Sequence, residues 1–219
     1  MRFFSMEGPV FRFLTLVSEL IVLNIVYLIT CIPVVTIGAA TGALCRTMLD
    51  RRYGRDAGVR AYFRFFKNSF RQATPRYLLS LLIGGVLAFD VWYTFTGELP
   101  MRRFLVPLFL LLLTVFLVVS SWVLALTGQF DNTAKGTFKN AAILSLRHPL
   151  VSFLLLLRFL PALLSLISPA LFLAASFLFF FLYYALCAYL AAIPMSRVFL
   201  ELMTPEEAAA RTYKKDPDD

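Results

Sequence analysis

Long apolar runs, broken at a few places by charge or proline, set the pattern of this chain. Neither Phe104–Phe130 nor Phe159–Ser196 contains a single Asp, Glu, Lys or Arg. A membrane span needs roughly 20 residues, because a helix rises about 1.5 Å per residue through a hydrocarbon core about 30 Å thick. Residues 13–33, 77–96 and 104–127 each reach that length. The 47 residues of Leu150–Ser196 would make about 70 Å of helix, enough for two crossings. Ser168-Pro169 is the natural break between them, since the residue before proline is pushed away from α geometry. This predicts helices over 150–168 and 170–193, the first kinked at Pro161. Residues 37–50 are apolar but short, and predict a short second membrane helix or a re-entrant segment. Gly38 and Gly42 there form a G-x-x-x-G, the spacing that lets helices approach closely in lipid. The expected fold class is all-α: a polytopic transmembrane helix bundle of five full spans plus that short or re-entrant segment, six in total. Residues 1–219 form a single integral membrane domain in this reading.

One polar stretch has its own period. Val59, Tyr62, Phe63, Phe66 and Phe70 recur at helical spacing, and Arg60, Arg64, Lys67 and Arg71 follow one residue behind. At 100° per residue the four cations share about 60° of arc beside an aromatic face. That predicts an amphipathic interfacial helix over 59–72, which includes Asn68, with rings at the acyl boundary and cations toward anionic headgroups. It serves either as an anchor or as a docking surface for a cytoplasmic partner. Thr204-Pro205-Glu206-Glu207 is a capping box with proline at the first helical position, and predicts a C-terminal cytoplasmic helix over 205–214.

Charge then orients the chain. Eight of the 21 basic residues lie within Arg51–Arg76. With six segments, 17 fall on one side together with both termini, and only Arg102 and Arg103 on the other. The positive-inside rule makes the richer side cytoplasmic. The composition fits lipid as solvent: 60% hydrophobic and 16% charged, with a mean hydropathy of +0.78, against about 25% charged in ordinary soluble domains. The net charge of +8 clusters beside apolar segments, which argues for a membrane face and against nucleic acid. The first apolar run exceeds the 7–15 residues of a cleaved signal core and reads as a retained helix.

Candidate chemistry is sparse. Cys31, Cys45 and Cys187 sit unpaired in apolar segments, and with the single His148 they make no zinc set; no metal and no cofactor are expected. The chain has no phosphate-binding loop, nucleophile elbow or H-E-x-x-H, so it reads as a non-enzyme. Four polar residues lie at membrane depth: Glu19, Asn24, Asp90 and Arg158. Ionised groups there cost roughly 2.5–3.5 kcal/mol and normally pair inside the bundle. The expectation is an ion pair of Arg158 with Asp90 or Glu19, as a structural clasp or as part of a substrate path. Trp92, Tyr93 and Trp122 are expected in interfacial aromatic belts.

Several segments, taken in order, resemble the YesL family of bacterial membrane proteins, a domain of unknown function. They are Asn24 followed by Ile32-Pro33-Val34-Val35-Thr36-Ile37-Gly38-Ala39-Ala40, then Phe63…Phe66-Lys67-Asn68-Ser69-Phe70-Arg71-Gln72-Ala73, and later Asn132…Phe138-Lys139-Asn140-Ala141. The resemblance implies a small polytopic protein of a bacterial plasma membrane, often encoded beside ABC importers and enzymes for plant oligosaccharides. Its implied partners are the lipid bilayer and an ABC importer permease or ATPase. Two functions follow as expectations: an accessory component of oligosaccharide uptake, or a small stand-alone permease with the intramembrane charges along its path.

Overall fold

In a computed structural model the described residues are 9–55, 57–97, 101–130 and 133–203, and every regular element among them is helical. They form α1 (Pro9–Cys31), α2 (Ile37–Arg52), α3 (Val59–Thr96), α4 (Arg102–Thr127), α5 (Ala134–Arg147), α6 (Pro149–Leu156), α7 (Leu160–Ile167), α8 (Pro169–Leu178) and α9 (Tyr184–Leu202). A 3-10 turn, Leu157–Phe159, joins α6 to α7, and a π-helical segment, Phe179–Tyr183, joins α8 to α9. Five helical stretches are long and apolar enough to cross a membrane: Phe13–Cys31, Val59–Thr96, Arg102–Thr127, Pro149–Ile167 and Pro169–Leu202. Large apolar side chains such as Leu82, Phe104, Leu166 and Phe177 point outward from them. That much exposed apolar surface suits hydrocarbon and not water.

Neighbouring stretches run antiparallel. Tyr27 of α1 meets Thr41 of α2, and Glu19 pairs with Arg51 farther along both helices. Arg76 and Gly84 of α3 meet Thr127 and Phe116 of α4. Tyr183 meets Leu157 across the last pair. At the centre is α2, where 12 of 16 residues are buried against α1, α3, α4 and α9. Its length is about 24 Å, shorter than a hydrocarbon core. Its sequence, rich in Gly, Ala and Thr, is what permits the enclosure, because small side chains let neighbouring backbones come close. A Cβ on Gly38 would collide with Tyr77 Cβ on α3, and one on Gly42 would lie 3.2 Å from the Leu124 carbonyl oxygen on α4. The two glycines of the motif thus face two different helices.

Four expectations change. Segments 59–72 and 77–96 are one continuous 38-residue helix with Pro75 inside it, not an interfacial helix followed by a span. One buried stripe, Ala61/Tyr62, Phe65, Ser69, Ala73, Arg76 and Ser80, runs across the proline. Packing of that stripe on α2 outweighs the single N–H that Pro75 cannot donate to the Arg71 carbonyl. The last span does not stop at 193 but runs through Pro194 to Leu202. Trp122 is fully buried, not interfacial: its Nε1 donates to Ser152 Oγ at 2.9 Å and its ring packs on Phe199. Residues 134–147, between the predicted spans, form α5, capped by Thr133 Oγ1 accepting from the Gly136 N–H. The break at Ser168-Pro169 stands: Ser168 caps α8, accepting from the Leu171 N–H. The expected 205–214 helix and its capping box lie outside the described residues.

Irregular helix is matched to irregular helix. Pro161 has no N–H for the Leu157 carbonyl four residues back. That carbonyl instead accepts the Leu160 N–H in the 3-10 turn and the Tyr183 hydroxyl at 2.6 Å. Tyr183→Phe is expected to keep the fold and lower stability by about 0.6 and at most about 1.7 kcal/mol, the range of side-chain hydrogen bonds between membrane helices. Reversible unfolding in bicelles measures this, and an unchanged stability would remove the hydroxyl from the account.

Candidate functional site

A large recess lies beside the N-terminal end of α2, where that helix starts short of its neighbours. It is a chamber of about 590 Å³ between α3 and α4 on one side and the 157–162 stretch, α1 and Tyr184 on the other. Leu81, Gly84, Leu113, Phe116 and Leu117 supply an apolar wall, and Gly85 has nothing within 4 Å of where a Cβ would stand. Tyr27, Cys31, Thr41, Tyr77, Ser80, Ser120, Arg158 and Tyr184 supply the polar atoms. No carboxylate among the described residues lines it.

Among the described residues Arg158 is the one formal charge in that lining. It sits on the 3-10 turn, with its guanidinium stacked on its neighbour's ring, 4.7 Å from the Phe159 centroid. The expected pairing with Asp90 or Glu19 does not form. Glu19 pairs with Arg51, and Asp90 has no ion-pair partner among the described residues; its backbone carbonyl accepts the Thr94 hydroxyl at 2.6 Å. Arg158 has no hydrogen-bond or carboxylate partner among the described residues. Depth along separate helices, all that sequence arithmetic provides, does not fix which way each side chain faces.

The hydroxyls divide by what their protons do. Thr41 donates to the Ile37 carbonyl at 2.8 Å, so in its 3.3 Å contact with Tyr27 the tyrosine is the donor. Ser80 donates to the Arg76 carbonyl and Ser120 to the Leu117 carbonyl. Tyr77 and Tyr184 have no hydrogen-bond partner among the described residues, and their hydroxyls remain available as donors. The free polar capacity of the chamber is therefore a guanidinium, which only donates, and two phenols, which donate as well as accept.

Asn24 is buried and belongs to the frame. Its Nδ2 donates to the Phe179 and Phe180 carbonyls at 3.2 and 2.7 Å, and its Oδ1 accepts the Ala185 N–H at 2.9 Å. It occupies the backbone groups that the π segment leaves open. Over residues 20–91 the chain matches a protein-family model described as "Protein of unknown function, DUF624". That match brings no activity with it. It covers α2 with most of α1 and α3, so it includes Asn24, Gly38, Gly42 and Asp90 but not Arg158. No curated protein and no solved structure matches the chain.

The remaining candidates lie away from the chamber. Arg60, Arg64, Lys67, Asn68 and Arg71 are exposed on α3 with Phe63 and Phe70, while Phe66 is half-buried. Tyr62 turns fully inward, and its hydroxyl meets Thr30 Oγ1 at 2.6 Å. Two basic residues missed by sequence reasoning are structural: Arg76, buried, donates to Thr127 Oγ1 at 2.9 Å, and Arg46 donates to the Gly128 carbonyl at 2.8 Å over the Phe65 ring. The chamber tyrosines were also missed. Their signal was present, because Tyr27 and Tyr184 stand well inside apolar runs, away from the span ends where tyrosine usually collects.

Proposed function

We propose that this is a multi-pass protein of a bacterial plasma membrane that receives a small ligand in the chamber around Arg158 and serves solute uptake without catalysing a reaction. The observation that carries this reading is an arginine without a carboxylate, set in the wall of a membrane-depth recess whose volume falls in the range of small-molecule sites. The end bearing Arg51, Arg52 and Arg55, the start of α3 and the end of α9 faces the cytoplasm, by the positive-inside rule. In this reading α2 is a sixth, short membrane segment held by its neighbours.

The test uses the native cysteines. Cys31 lines the chamber and is half-buried, whereas Cys45 and Cys187 are buried. A small water-soluble methanethiosulfonate reagent is expected to modify Cys31 in membrane vesicles well ahead of the other two, and Cys31→Ser to abolish the early labelling. A Cys31 inert from both faces would refute a ligand-receiving chamber. A second reading, an accessory subunit docked on an ABC importer, is favoured by the exposed stripe of Arg60, Arg64, Lys67 and Arg71 beside Phe63 and Phe70. It predicts loss of a co-purifying permease or ATPase when the four cations are replaced.

A further inference from the structure

The chemistry of the chamber narrows its occupant. An ionised arginine is costly at membrane depth, and nothing among the described residues supplies Arg158 with a counter-charge. Tyr77 and Tyr184 share the lining with it, and their hydroxyls add two uncommitted donors. A cationic ligand would meet repulsion and no acceptor carboxylate. A neutral sugar would leave the guanidinium uncompensated. An anionic oxygen group, by contrast, matches a guanidinium fork and two phenol donors, since such charge-assisted bonds are the strong ones. The rest of the chamber asks for something different. Beyond Tyr77, Ser80 and Ser120, its α3–α4 wall is Leu81, Gly84, Leu113, Phe116 and Leu117, with open space over Gly85. The site is polar and cationic at one end and greasy at the other.

Resting on the reading of the chamber as a ligand site, we propose that it takes an amphiphile with one anionic head, a phosphate or carboxylate held by Arg158, and an apolar tail laid over Gly84 and Gly85. The same chemistry is offered by a phospholipid headgroup and by a free single-chain acid or alkyl phosphate.

The experiment follows thermal unfolding of the full chain in nanodiscs of zwitterionic phosphatidylcholine, titrated with dodecyl phosphate, dodecanoate, dodecanol, dodecylamine, inorganic phosphate and phosphatidylglycerol. Dodecyl phosphate and dodecanoate are expected to raise the unfolding temperature saturably, while dodecanol and dodecylamine do not. Arg158→Gln is expected to weaken the dodecyl phosphate response about 10- to 100-fold, the range for losing a hydrogen-bonded charge. Gly85→Leu, placed where an added side chain meets open space, should weaken dodecyl phosphate and leave any inorganic phosphate response unchanged. It keeps the test alive if Arg158→Gln fails to fold. Phosphatidylglycerol matching dodecyl phosphate would assign the site to a membrane lipid; single-chain anions alone would assign it to a free amphiphile. Equal responses to dodecanol or dodecylamine, with Gly85→Leu still weakening them, would overturn the anion assignment and leave the chamber standing. Wild type and Gly85→Leu responding identically to every probe would overturn both.

Discussion

Gly128→Ala should cost about 3 kcal/mol or more in unfolding free energy, the upper end of the range for overpacked interiors. A Cβ on Gly128 would stand 2.5 Å from the Gly42 carbonyl oxygen and 3.3 Å from the Gly42 Cα. Those atoms are the backbone of α2, enclosed on all sides, so no flexible side-chain tip can give way. The backbone conformation of Gly128 itself, φ −70 and ψ −19, suits alanine, and the effect is therefore steric and not conformational. Gly85→Ala on the chamber wall, with nothing within 4 Å, is the matched control and should change stability by less than about 0.5 kcal/mol. Unfolding both variants reversibly in bicelles decides it. A Gly128→Ala protein as stable as the control would mean that α2 and α4 do not touch through their backbones.

Asn24→Ala should be nearly as damaging, by about 2–4 kcal/mol. Three hydrogen bonds end on this one amide, and interhelical side-chain bonds in membranes average about 0.6 and reach about 1.7 kcal/mol each. The sum exceeds three average bonds here because the partners are backbone groups of a π segment at membrane depth, where a lost partner is costly. Asn24→Leu keeps the volume and loses the bonds, so it separates hydrogen bonding from cavity formation. The two variants should lose similar amounts. A leucine variant as stable as the wild type would show that the π segment needs no side-chain partner.

How much of this was readable beforehand differs from feature to feature. The spans at 13–33 and 104–127 and the Ser168-Pro169 break follow from residue counts and from one local steric rule; α1 and α4 match the two spans, and α8 begins at the break. Pro75 sits in an equally suggestive context and does not end its helix, because what holds α3 together across it is contact with α2, which no local rule includes. The Arg158 pairing failed for a related reason: residue counting gives height along a helix but not azimuth. Trp122 was placed by habit of its residue type, whereas its Nε1–H finds Ser152 thirty positions away. The π segment in Leu178-Phe179-Phe180-Phe181-Leu182-Tyr183-Tyr184 has no signature of its own; the polar clue is Asn24, 155 residues earlier than its first contact. The tyrosines around the chamber were visible in position but had no assigned partner until the helices were set side by side.

The brevity and polarity of α2 bear on how the protein is made. Arg46, Asp50, Arg51 and Arg52 crowd into its second half, so a newly synthesised α2 alone has little reason to leave the translocation machinery for lipid. Its contacts with α4 do not exist until residue 128 has been translated. The first shelter available is the pair of greasy neighbours on either side of it in the chain, α1 and α3, and biogenesis is thereby obliged to hand over the opening three segments as a package.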